Sequence, residues 1–167
     1  MKKILATAGA IAALALTAAP AQAATPTQQA TATARIYTPL SITFARNLDF
    51  GVVVLNNTTF TTETVSVAAS NGAVTCGGGV NMTCSGSPTS ARYTLQGSAG
   101  ALVGISSPGF NLSNGSATLA FTPAFTASVT LDGTGAGAVN LGGSIPVAGN
   151  TPEGVYTGTF SVTANYQ

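Results

Sequence analysis

The chain has 167 residues, with five Lys and Arg, four Asp and Glu, no His, and a formal net charge of +1. So few charges exclude a nucleic-acid-binding surface, which needs clustered Lys and Arg, and they exclude a highly charged disordered chain. The lack of histidine also removes the usual base of a nucleophilic triad.

Lys2 and Lys3 precede an apolar stretch from Ile4 to Ala19, followed by Ala21-Gln22-Ala23. This is the pattern of a secretory signal peptide over residues 1–23, with cleavage expected after Ala23. The rival reading is a transmembrane anchor. Against it, the stretch is short and alanine-rich, and no charged stop-transfer cluster follows. The chain after cleavage is expected to carry no transmembrane segment. It keeps Arg35, Arg46 and Arg92 against Asp49, Glu63, Asp132 and Glu153, and no lysine. Its polarity comes from Thr, Ser, Asn and Gly. Charge normally keeps a dispersed monomer soluble, so this surface suits a subunit packed against copies of itself.

Residues 24–35 are small and polar and read as an extended N-terminal arm. Residues 36–167 read as one all-β domain, because apolar residues recur at period two and β-branched residues are abundant. A first strand is expected over Ile36 to Phe44, with Gly51 marking a bulge or bend in "NLDFGVVV". Further strands are expected over Phe60 to Ala69, Ala91 to Leu95 and Leu102 to Ile105. Asn114-Gly115 signals a turn before strands over Ala117 to Phe121 and Ala127 to Leu131. Asp132-Gly133 turns again, ahead of Leu141 to Val147 and Val155 to Tyr166. Eight or so strands without crossover helices argue for antiparallel pairing in a sandwich.

Cys76 and Cys84, the only cysteines, flank a glycine-rich loop. In an exported chain a disulfide is the default. The competing metal-pair or catalytic-thiol readings lack the further thiols or histidines that a closed tetrahedral site needs. No cofactor and no metal is expected. An enzyme is not expected either. A Ser–Lys dyad has no lysine, and paired carboxylates of the glycosidase kind would have to come from acids scattered over different segments. Asp49, Asp132 and Glu153 sit beside turn-like Gly or Pro, which reads as solvated turn chemistry. Gly77-Gly78-Gly79 lacks the Lys-Ser/Thr of a phosphate loop, and Asp132 lacks the acidic company of a calcium loop.

The final segment, "GVYTGTFSVTANYQ", alternates closely. Gly154, Tyr156, Gly158, Phe160, Val162, Ala164 and Tyr166 fall on one side, with Thr, Ser and Asn mostly on the other. As one strand, Val155 to Tyr166 would run about 40 Å. Its apolar face requires burial. The sequence leaves open whether the strand has two neighbours in its own domain or lacks one that another chain supplies.

This terminus resembles those of pilin subunits assembled by the chaperone–usher route, which end in an alternating strand with penultimate tyrosine and a glycine fourteenth from the end. Tyr166 and Gly154 hold those positions here. "TPLSITFARNLDFG" and "LGGSIPVAGNTPEGVYTGTFSVTANY" also resemble an uncharacterised family of exported bacterial pilin-like domains, itself distantly similar to the spore coat protein U group. The resemblance implies an immunoglobulin-like antiparallel β-sandwich lacking its final strand. It further implies export through the inner membrane, transit through the periplasm with a chaperone and an outer-membrane usher, and assembly with copies of itself or related subunits at the cell surface. The arm of the next subunit, here offering Ala30, Ala32, Ala34 and Ile36, would then fill the groove. In pilins of the well-known type the bridged cysteines lie far apart and the donor arms carry bulkier residues. What the resemblance implies as function is a non-enzymatic structural subunit of a surface fibre or coat, polymerising by strand donation. The alternative is a self-complete exported β-sandwich that binds a glycan or another surface ligand as an adhesin does.

Overall fold

The structure, a computed structural model, describes residues 25–167. The expected signal peptide lies outside the described residues. The chain divides into a unit ending at Arg35 and a compact unit, Ile36–Gln167. Residues 25–35 contain no helix or strand, and their side chains are exposed.

The compact unit is an all-β sandwich in which every strand pair is antiparallel. Its centre is β11 (Ala136–Val147), a strand of 12 residues. Along one edge β11 pairs first with β6 (Ala91–Gln96) and then with β3 (Glu63–Val67). The opposite edge pairs with β9 (Thr118–Phe125) over Leu141–Ser144. β1 (Ser41–Arg46) extends the sheet beyond β6, β4 (Val74–Cys76) extends it beyond β3, and β8 (Phe110–Ser113) pairs with β9. The change of partner on β11 falls at Gly142-Gly143. A Cβ at Gly142 would collide with the Val67 carbonyl, and one at Gly143 with the Phe121 ring. Only glycine lets three strands crowd one point.

A three-stranded sheet of β10 (Ser128–Thr130), β7 (Leu102–Ser106) and β12 (Thr163–Tyr166) covers the β1–β6–β11 half. Leu95, Val103, Ile105, Leu131 and Val139 are buried between the two layers. A second core around Val65, Met82, Phe121, Leu141, Ile145 and Val147 fills the other half. The ribbon of β2 (Val52–Leu55) and β5 (Met82–Ser85) packs Val53, Leu55, Met82 and Cys84 against it.

The period-two reading found most strands but moved several boundaries. The first strand starts at Ser41 rather than Ile36, beyond Pro39, which has no N–H to give a ladder. Gly51 is not a bulge within a strand. It makes a left-handed turn (φ 73°) ahead of β2, with the Asp49 carboxylate accepting its N–H. The strand expected over Phe60 to Ala69 shortens to Glu63–Val67, and that expected over Ala127 to Leu131 to Ser128–Thr130. β11 begins five residues before the expected Leu141, and β9 runs on through Pro123 to Phe125. The "loop" between the cysteines is the turn joining β4 to β5, and β8 had no counterpart among the expected strands.

The largest correction concerns Val155 to Tyr166. Only Thr163–Tyr166 is strand, paired with β7. Upstream, Thr157 makes an isolated bridge with Ser113. The two pairings differ in register by one residue, and Pro108 and Gly109 lie opposite the gap between them. A proline without N–H and a one-residue offset together interrupt what would otherwise be one long ladder.

Candidate functional site

β12 is the edge of its sheet, with β7 as its single strand partner. The Gln167 N–H donates to the Leu102 carbonyl at 3.0 Å, which fixes the phase of the antiparallel ladder. Thr163, Asn165 and Gln167 turn their backbone groups toward β7, and Ala164 and Tyr166 turn theirs outward. Neither outward pair has a hydrogen-bond partner among the described residues.

The apolar alternation of this segment is present, but its burial is incomplete. Tyr156, Phe160, Val162, Ala164 and Tyr166 are half-buried, while Gly154 and Gly158 are exposed. Phe160 stacks on Phe110, with ring centres 5.0 Å apart. Val162 touches both cores, and Ala164 and Tyr166 touch the one under β7. Gly158 passes against the Asn111 carbonyl and the Phe110 ring, where a Cβ would not fit. Gly154 has φ 143° and lies against the Asn114 side chain. Tyr156 donates its hydroxyl to the Pro152 carbonyl at 2.8 Å.

The other wall of the site is β1 with the segment leading into it. β1 is the edge of the larger sheet. Leu40 and Ile42 are half-buried on the same core as Ala164 and Tyr166, while Phe44 is 56 % exposed beside Tyr93. Burial raises the pKa of the Tyr93 phenol. Between the segment leading into β1 and β12 lies an open depression of about 460 Å³, lined by Tyr37–Leu40 and Ala164–Tyr166. Among the described residues, no charged side chain lines it. The β12 edge and the segment leading into β1, neither with an outer strand among the described residues, thus border a seam of mixed polarity above the apolar side chains of Leu40 and Ala164.

One end of the seam is tied by hydroxyl groups. Tyr37 stacks on Tyr166 with ring centres 4.6 Å apart. The Tyr166 hydroxyl donates to the Thr38 carbonyl at 2.9 Å and accepts from the Ser98 N–H at 2.7 Å. The Thr38 N–H donates to the Ser98 hydroxyl at 2.7 Å. Burial acts to raise the Tyr166 pKa, but its hydrogen bonds with Ser98, the backbone N–H first, prevail and hold it below the ordinary tyrosine value. Thr38 and Ser98 carry no sequence signal, because ordinary hydroxyl residues 60 positions apart meet only through the fold.

Of the expected donor-arm residues, Ala30, Ala32 and Ala34 are exposed in the unit ending at Arg35, and Ile36 is 94 % exposed at the start of the compact unit. Cys76 and Cys84 form a disulfide, Cα atoms 5.7 Å apart, which ties β4 to β5. Glu63 braces the same corner. Its carboxylate accepts from the Gly78 N–H at 2.9 Å and from the Asn81 amide, and these bonds, Asn81 first, hold its pKa below the usual carboxylate range. Asp132 accepts from the Thr134 hydroxyl and from the Thr134 and Ala136 N–H groups, which lowers its pKa in the same way. Among the described residues, no cluster of three or more His, Cys, Asp or Glu could hold a metal, and no helix is long and apolar enough to cross a membrane.

The DUF4402 family, described as a domain of unknown function, matches residues 40–166. The chain belongs to this family. No curated protein and no solved structure matches it. The DUF4402 match starts at Leu40 and ends at Tyr166. It therefore takes in β1, β12 and Ser98, but not the arm, Tyr37 or Thr38.

Proposed function

We propose that this DUF4402 domain is a non-enzymatic, pilin-like structural subunit of a bacterial surface fibre or coat, joined to copies of itself or related subunits by a strand donated into the seam. The observation that carries this reading is the outer edge of β12, where unpartnered backbone groups and a half-buried apolar face coincide. An open strand edge of that kind is an aggregation hazard unless something covers it. A docked strand satisfies backbone groups and apolar pockets together. Donation from subunit to subunit is heterologous, so it builds an open filament rather than a closed ring. The donor is the arm over residues 24–35 with Ile36. During export a periplasmic chaperone would lend the strand and an outer-membrane usher would direct the exchange.

A second reading is a self-complete exported module that binds a glycan or other surface ligand. The hydroxyl tie across the seam, which closes one end from within the chain, favours it. Electron microscopy of exported material separates the two. The fibre reading expects thin filaments that disappear when residues 24–34 are deleted. Filaments that persist after the deletion would refute the donor arm, and a truncated chain that keeps its fold and a ligand would support the module.

A further inference from the structure

We infer that Tyr37–Leu40 is a strap, latched by the hydroxyls of Tyr166 and Ser98, which opens as a unit while the sandwich stays folded and which a strand docking on β12 displaces. The displacement rests on the strand-docking reading above; the latch does not.

The strap runs past β12 without pairing with it. No backbone hydrogen bond links residues 37–40 to residues 163–167, and an open depression of about 460 Å³ is bordered by both. What holds the strap is the Tyr37–Tyr166 stack and the chain of bonds through Thr38, Ser98 and Tyr166. The latch thus engages the phenol of Tyr166 and leaves the outward N–H and C=O groups of Ala164 and Tyr166 available. The strap residues are weakly embedded besides. Tyr37, Thr38 and Pro39 are exposed and Leu40 is half-buried. Few buried apolar contacts and hydrogen bonds made by exposed groups are the features of a segment that opens locally, far below the free energy of global unfolding. A strand paired to the outward groups of Ala164 and Tyr166 would enter the depression that Tyr37–Leu40 also line, and so meet the strap there.

The test is residue-resolved amide exchange on the purified chain. In the free protein the Thr38 and Ser98 amides should exchange at least about 100-fold faster than those of Leu95 and Val139, as local opening requires. Tyr166→Phe, which keeps the ring stack but removes the hydroxyl, should speed exchange at Thr38 severalfold although that hydroxyl does not touch the Thr38 N–H. Rates at Thr38 and Ser98 equal to those of the core, or a Thr38 rate unmoved by Tyr166→Phe, would overturn the latch. The second step adds a synthetic peptide of residues 24–37. Displacement predicts protection gained at Ala164 and Tyr166 and lost at Thr38, whose N–H is the strap's own bond to Ser98. Gain at Ala164 and Tyr166 with full retention at Thr38 would overturn the displacement while strand docking stood. No gain at Ala164 and Tyr166 would refute donation by this arm and the displacement with it, leaving the latch to be judged on the free-chain rates.

Discussion

β11 and the final segment carry the same kind of alternation and meet opposite fates. In β11, Val139, Leu141, Ile145 and Val147 are all buried, Leu141 to 1 % exposure. In the final segment Phe160, Val162, Ala164 and Tyr166 stay half-buried. The difference is one of neighbours. β11 has strands along the whole of one edge, β9 on the other over Leu141–Ser144, and further elements packed above it, whereas β12 has β7 on one edge and an open depression on the other. Alternation announces which face must be covered; the strands beside it and the layer packed above it together decide how far the cover extends.

The sharpest way to break this comparison is to shorten one apolar side chain in each of the two segments. Leu141→Ala should cost about 2–5 kcal/mol, as full burial and a residual cavity dictate. Val162→Ala should cost roughly 1 kcal/mol, since the loss is two methyl carbons from a side chain that still partly meets water. Equal losses in denaturant midpoint would show that the final segment is as embedded as β11. Next comes the disulfide corner, on the closed side. Replacing Cys76 and Cys84 together by serine should lower stability by about 2.5 kcal/mol from the loop-entropy relation, with no change in assembly, because β4 and β5 do not border the seam.

Gly154→Ala should cost about 1–3 kcal/mol, the penalty for a side chain at a backbone angle that glycine alone tolerates. The backbone has φ 143° there and Asn114 lies alongside. The loss should appear in the unassembled domain, and a defect confined to assembly would contradict this local account. The smallest effect is expected at Glu63. A carboxyl held below its unfolded pKa adds stability above the unfolded value, and this is lost as pH falls through the folded value. Its hydrogen bonds to Asn81 and Gly78 set that direction. Denaturation between neutral and acidic pH should therefore shift slightly less for Glu63→Gln than for the unaltered chain, and an identical shift would remove Glu63 as a contributor.

Much of this architecture was legible in the residues. The Asn114-Gly115 and Asp132-Gly133 turns, the disulfide and the inward face of β6 follow from local chemistry, and local chemistry is what a sequence displays. The side-chain faces of residues 154–166 were legible for the same reason. Their pairing was not, because it is set by the opposing chain, where Pro108 offers no N–H and the register slips by one residue. β8 escaped because Phe110–Ser113 is four residues long and alternates too briefly to stand out. The latch escaped altogether. Thr38, Ser98 and Tyr166 are joined by hydroxyl bonds over separations of 60 to 128 residues, which no local pattern encodes.

The central claim is that the seam accepts a strand from another copy. Electrophoresis of the exported protein in SDS without heating tests it most directly. Strand donation predicts a ladder of multiples that collapses to a single band on boiling and is absent when residues 24–34 are deleted. One monomer band before and after boiling, from material at assembly concentration, would contradict it.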